Sequence, residues 1–176
     1  MTVTSSAMAA NPRLSAVSTS VQHVRIREVG PRDGFQNEPE VIATADKVRL
    51  IELLARTGLR RLEVTSFVRA DVIPQLADAR EVLEAIDVPD DVALSVLIPN
   101  ERGLEHALEL RERFREINVF LSASEEHNRR NVNRSVEESL AGLERVLARA
   151  REAELRCEGV ISVCLLYTSP SPRDRS

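Results

Sequence analysis

Three short stretches carry residue types that could do chemistry together. The first, VGPRDGFQNE from Val29 to Glu38, sets a guanidinium (Arg32), a carboxylate (Asp33), a glycine free to take positive φ (Gly34) and two side-chain amides (Gln36, Asn37) within one turn or two of chain. A guanidinium that never loses its charge can hold a developing oxyanion, and a carboxylate suits a hard divalent cation. The second stretch, EVTSFV, begins with Glu63 and includes Ser66, and the third, NVNRSVEES, begins with Asn131. Each has a plainer reading. Pro-Arg-Asp-Gly is also a good type I turn, Glu63 and Arg32 could form a simple ion pair, and Asn131 could hold a turn.

The elements that must position these residues follow from periodicity. Val24 to Glu28 alternates as a β-strand, so the Arg32 cluster falls where a strand ends and a loop begins, the place where α/β enzymes keep their active groups. Thr44 is expected to cap a helix to about Thr57, striped by Val48, Ile51, Leu54 and Ala55 and stopped by Gly58. A second strand, Arg61 to Val64, ends at the EVTSFV stretch. A second helix is expected from Val72 to Ile86, a third strand from Val92 to Ile98, and a helix capped by Asn100 and running to about Phe114. A fourth strand covers Glu116 to Leu121, and Ser122 to Asn133 reads as a polar loop. Ser135 and Glu138 form a capping box for a helix striped by Val136, Leu140, Leu143, Leu147 and Ala150, before a fifth strand from Arg156 to Val163. Strand and helix thus alternate with a period of about 30 residues, the βα repeat of a parallel sheet.

Composition narrows the classes of function. Over 176 residues the apolar fraction is 43%, enough for one domain with a core, and a net charge of −4 with few aromatic residues argues against nucleic acid as a partner. No apolar run approaches the roughly 20 residues that span a bilayer. Lys47 is the only lysine, which suits a GC-rich, bacterial genome. Cys157 and Cys164 match no metal or redox spacing, and a reducing cytoplasm fits them best. His23, His106 and His127 read as surface residues. Residues 1–22, rich in Ser, Thr and Ala, are expected to be a disordered leader, residues 23–164 the domain, and residues 165–176 a non-native tail that looks like translated sequencing-adapter sequence.

The string VGPRDGFQNE, with EVTSFV and NVNRSVEES, resembles the signature of 3-hydroxy-3-methylglutaryl-CoA lyases over about Val24 to Ser162. The resemblance implies a TIM (β/α)8 barrel, here truncated to about the first four βα units plus a fifth strand, since such barrels take about 250 residues. It implies cleavage of an acyl-CoA to acetyl-CoA and acetoacetate, of the leucine-degradation type, assisted by Mg2+ or Mn2+. Arg32 and Glu63 would be catalytic, with Glu63 orienting Arg32 or the substrate, Gln36, Ser66 and Asn131 would face the substrate, and Asp33 would bind the metal. Pro39 stands where relatives carry a lysine, and neither the family's His-x-His pair nor its glycine-rich cysteine loop is present. The chain as written is therefore expected to be inactive. Small-molecule acyl-CoA is the expected partner, with no nucleic acid and no membrane; a homodimer of the intact parent is left open. The alternatives are a related isopropylmalate, citramalate or homocitrate synthase and a non-catalytic fragment.

Overall fold

A computed structural model describes residues 24–162. The expected leader and tail, with His23 and Cys164, lie outside them. Four parallel strands, β1 (Arg61–Ser66), β2 (Ala93–Leu97), β3 (Glu116–Ser122) and β4 (Arg156–Ser162), pair in sequence order. The helices α1 (Thr44–Ala55), α2 (Ala79–Ala85), α3 (Glu101–Leu108), α4 (Glu125–Val132) and α5 (Val136–Glu152) alternate with them. This is the βα arrangement with which a TIM barrel begins.

One face of the sheet is apolar and covered. Leu62, Val64, Leu94, Val96, Ile117 and Val119 pack there against Ile51, Leu83, Leu104, Val146 and Ala150 of the helices, in one continuous cluster. Period-2 alternation then sends Arg61, Glu63, Ser95, Glu116, Asn118 and Glu158 to the opposite face. Glu63, Ser95, Glu116 and Asn118 are nevertheless buried there.

Several expectations need correction. The strand expected at Val24 to Glu28 is reduced to a single parallel bridge, Glu28 to Leu62, in which the Glu28 amide donates to the Arg61 carbonyl at 3.0 Å and the Glu63 amide to the Glu28 carbonyl at 2.8 Å. The helix expected over 72–86 is a 3-10 turn, Pro74–Leu76, followed by α2, because Pro74 supplies no amide and pushes Ile73 out of the helical region. The helix after Asn100 stops at Leu108. A separate 3-10 turn, Arg111–Arg113, lets the Arg113 guanidinium cap the carbonyls of Leu83 and Ile86 at the end of α2. Asn100 does cap α3, accepting from the Gly103 amide at 3.0 Å. Thr44 is not the cap of α1: that position is Ala43, and the Thr44 hydroxyl donates to Asp78 instead. The stop at Gly58, with φ of 97°, is as expected.

The largest miss is the polar loop. Residues 125–132 form α4, capped by Ser124, closed by Asn133 at φ 55° and laced by the pairs Glu125–Arg129 and Glu126–Arg130. A helix without an apolar stripe leaves no periodic signal. The capping box of Ser135 and Glu138 is present, but α5 buries Gly142, Val146 and Ala150, and Leu140 of the expected stripe is exposed.

Candidate active site

Pro31 is buried and anchors the signature, which winds into a π-helical turn, Gly30–Gly34. Such turns concentrate at functional sites. The Arg32 and Asp33 amides both donate to the Val29 carbonyl, at 3.0 and 2.7 Å. Gly34 does not use its freedom to take a positive φ; Gly58 is the only described glycine that does. Instead, close approach matters at Gly30, whose amide donates to the Glu28 carboxylate at 2.7 Å and where a Cβ would meet that same oxygen at 2.9 Å.

Since the Glu28 bridge pins this turn beside β1, the Arg32 side chain reaches Glu63. Its Nε donates to Glu63 Oε1 and its Nη1 to Asp33 Oδ1, the latter at 2.7 Å. The remaining terminal nitrogen of Arg32 has no partner among the described residues. Glu63 is 1% exposed, and its second oxygen, Oε2, accepts from Asn118 Nδ2. Both oxygens of this buried carboxylate are committed, so its charge is held by a cation and an amide. The register of β1 against β2 slips by one residue between Glu63 and Thr65, a bulge of the kind that re-aims side chains at sheet ends.

The other expected site residues are placed less uniformly. Ser66 is buried, and its hydroxyl donates to the Leu97 carbonyl at 3.2 Å. Gln36 sits half-buried just past the π-helical turn. Asn131 is exposed on α4 and lines a separate cleft of about 1290 Å3, which neither Arg32 nor Glu63 borders. Arg32, Asp33 and Glu63 therefore form one cluster, and Asn131 is not part of it. His106 is exposed as expected. His127 is not a free surface residue: it is half-buried, and its Nδ1 is enclosed with no hydrogen bond among the described residues.

Below this cluster runs an ion-pair network that periodicity did not reveal. Arg27 donates to Asn118 Oδ1 at 2.7 Å and lies 2.9 Å from Glu158 Oε1 and 3.9 Å from Glu63 Oε2. Arg61 bridges Glu116 at 2.7 Å and Glu158 at 2.9 Å, and Arg156 approaches the other Glu116 oxygen at 3.3 Å. Hydrogen bonds to Glu116 and Glu158 hold the Arg61 guanidinium above its usual pKa. Burial pushes the Glu158 carboxyl up, but the Arg61 hydrogen bond and the Arg27 and Arg61 charges outweigh it and leave it lowered. The available signal was the polar pair two residues apart at the start of three strands, Arg61 and Glu63, Glu116 and Asn118, and Arg156 and Glu158. Asn128 was missed as well. It is buried, accepts from the Ser122 amide at 3.3 Å and reaches the Arg134 and Ser135 carbonyls, tying α4 to the sheet.

Among the described residues no three of His, Cys, Asp and Glu stand close enough to enclose a metal ion. Asp33, tied to Arg32, is a single carboxylate, and these residues do not by themselves fit a divalent cation. Burial raises the Cys157 thiol, unlike an activated nucleophile. No helix among the described residues is long and apolar enough to cross a membrane.

Comparison with known proteins agrees with the signature. The chain is 50% identical over 151 residues to a hydroxymethylglutaryl-CoA lyase of Bacillus subtilis, covering 86% of this chain and 49% of that protein. It is 42% identical to the cytoplasmic 3-hydroxy-3-methylglutaryl-CoA lyase of Rattus norvegicus, with 86% and 43% covered. The crystal structure of the Bacillus subtilis lyase superposes with a TM-score of 0.78 at 49% identity, over 81% of this chain and 47% of that one. A lyase of Acinetobacter baumannii solved with coenzyme A and 3-methylmalate superposes at 0.73 and 35% identity, over 78% and 44%. The chain thus spans about half the length of the relatives it matches. The HMGL-like family model matches residues 23–168, and the chain belongs to that family.

Proposed function

We propose that this chain supplies the Arg32–Glu63 half of an active site that cleaves 3-hydroxy-3-methylglutaryl-CoA to acetyl-CoA and acetoacetate. In that reaction the tertiary hydroxyl loses its proton and becomes the ketone of acetoacetate. The electron pair of the breaking carbon–carbon bond passes to the acetyl thioester as an enolate, which takes up a proton at carbon. The observation that carries the reading is the state of Arg32: Nε fixed by buried Glu63, Nη1 on Asp33, and one terminal nitrogen free among the described residues to meet the enolate oxygen. Glu63 positions that cation. With both oxygens engaged it is not available as the base, so the proton transfers fall to other groups.

Gln36, beside the Arg32 turn, is assigned to the acyl end of the substrate. Ser66 spends its hydroxyl proton on Leu97 and can offer the substrate only an acceptor. The cleft at Asn131 has room for part of a coenzyme A arm. Asp33 is assigned as one ligand of a divalent cation, Mg2+ or Mn2+, whose other ligands lie beyond residues 24–162. The unpaired cysteine Cys157 suits a reducing cytoplasm.

The test replaces the matched segment of the Bacillus subtilis lyase with residues 24–162 and follows acetoacetate release from hydroxymethylglutaryl-CoA. Cleavage is expected. A folded chimera that only condenses acetyl-CoA with an oxo acid, or does neither, overturns the proposal.

A further inference from the structure

The Arg32–Glu63 pair does not stand alone on the polar face, and the groups behind it have an order. Glu63 divides its oxygens between Arg32 and Asn118. Asn118 is held from both ends: its Nδ2 donates to Glu63, which can only accept, and its Oδ1 accepts from Arg27, which can only donate. The two partners demand the same orientation of the amide. Arg27 is itself fixed by Glu158 at 2.9 Å, and its side chain is 16% exposed.

A simple structural ion pair does not explain this arrangement. Glu158 already has a cation in Arg61, also at 2.9 Å, so Arg27 is not needed to neutralise it. What Arg27 adds is a planar fork that reaches Glu158 with one terminal nitrogen and Asn118 with the other. We infer that Arg27 is a positioning residue, which acts through Asn118 and Glu63 to fix the direction of the Arg32 guanidinium. The inference rests on the reading of Arg32 as the functional cation, but it concerns an arrangement that can be measured without turnover.

The experiment is side-chain NMR on the full 176-residue chain, following hydrogen exchange at the Arg32 Nε–H and the Asn118 amide, with the urea midpoint measured alongside. Arg27→Met keeps an unbranched stem and removes the fork. Loss of a hydrogen bond to a charged group predicts exchange at least about ten-fold faster at both sites, well beyond any rise that the accompanying loss of stability brings to the core backbone amides. Asn118→Val is expected to free the Arg32 Nε–H to a similar degree, and the double variant to fall short of the two effects combined, Arg27 keeping only its 3.9 Å approach to Glu63 once Asn118 is gone. Wild-type exchange in Arg27→Met, or protection of Arg32 in Asn118→Val, overturns the inference. So does an equal rise in exchange at the core backbone amides, since Arg27 is then merely structural. Should Arg27→Met fail to fold, Arg27→Lys keeps the charge but on a single nitrogen in place of the fork: intermediate exchange supports the inference, and wild-type exchange overturns it. An inactive chimera in the turnover assay leaves these resonances untouched, so the two readings fail separately.

Discussion

Leu62 and Glu63 are neighbours in β1, at 0% and 1% exposure, and they look out on opposite sides of one sheet. On the Leu62 side, strands and helices close an apolar core whose contacts are interchangeable in kind, so that any well-shaped hydrophobic residue would serve. On the Glu63 side each group has a designated partner, and replacing one strands another. Burial is the same in both places. Its meaning differs, because apolar burial drives folding, whereas an enclosed carboxylate between two guanidiniums is a poor source of stability and a good means of fixing direction.

That contrast can be broken, beginning where the effect is largest. Leu62→Ala removes packing from the covered face and is expected to lower stability by about 2–5 kcal/mol, read as a drop in urea midpoint. A loss below about 1 kcal/mol would show that the apolar face is not the main support. Lys47 tests the same side by its exception. Its buried ammonium donates to the Gln75 carbonyl and, at 2.6 Å, to Asp78, joining α1 to the segment before α2. Lys47→Met leaves both acceptors short and is expected to cost about 1–3 kcal/mol in thermal unfolding.

The polar face has a pH signature. The Glu158 carboxyl is held below its ordinary value of 4.5 in the folded chain, so its contribution is present above that value and lost as pH falls through the lower, folded one. Glu158→Gln is therefore expected to narrow the stability difference between about pH 6 and pH 3 relative to the unaltered chain, by a small margin because the side chain is 42% exposed. An unchanged pH profile would remove Glu158 from the network. The smallest effect belongs to α4, where Arg130→Ala breaks a pair exposed at both ends and is expected to stay within about 0.5 kcal/mol.

What could be read from the sequence follows the same division. The covered face announces itself through period and caps: the 3.6-residue spacing of α1, the Asn100 cap, the Ser135 box and the Gly58 stop agree with the structure, whereas the α5 stripe holds only in part, with Ala150 buried and Leu140 exposed. The cluster of Arg32, Asp33 and Glu63 was legible from a motif. Their supporters Arg27, Asn118 and Glu158 were not, since each is an ordinary polar residue until strand pairing brings it across the sheet. Helix α4 escaped because ion pairs and caps, not an apolar stripe, hold it. The first strand was overestimated because alternation of apolar and charged residues does not count partners, and only Glu28 pairs.

The most direct measurement is turnover of hydroxymethylglutaryl-CoA by the chimera carrying residues 24–162, with Arg32 unaltered and as Arg32→Gln. If the polar face exists to aim Arg32, the variant loses about 100- to 1000-fold in kcat while its urea midpoint stays near that of the unaltered chimera. Cleavage within a few-fold of the unaltered chimera would contradict the account, and would make the polar network a matter of folding alone.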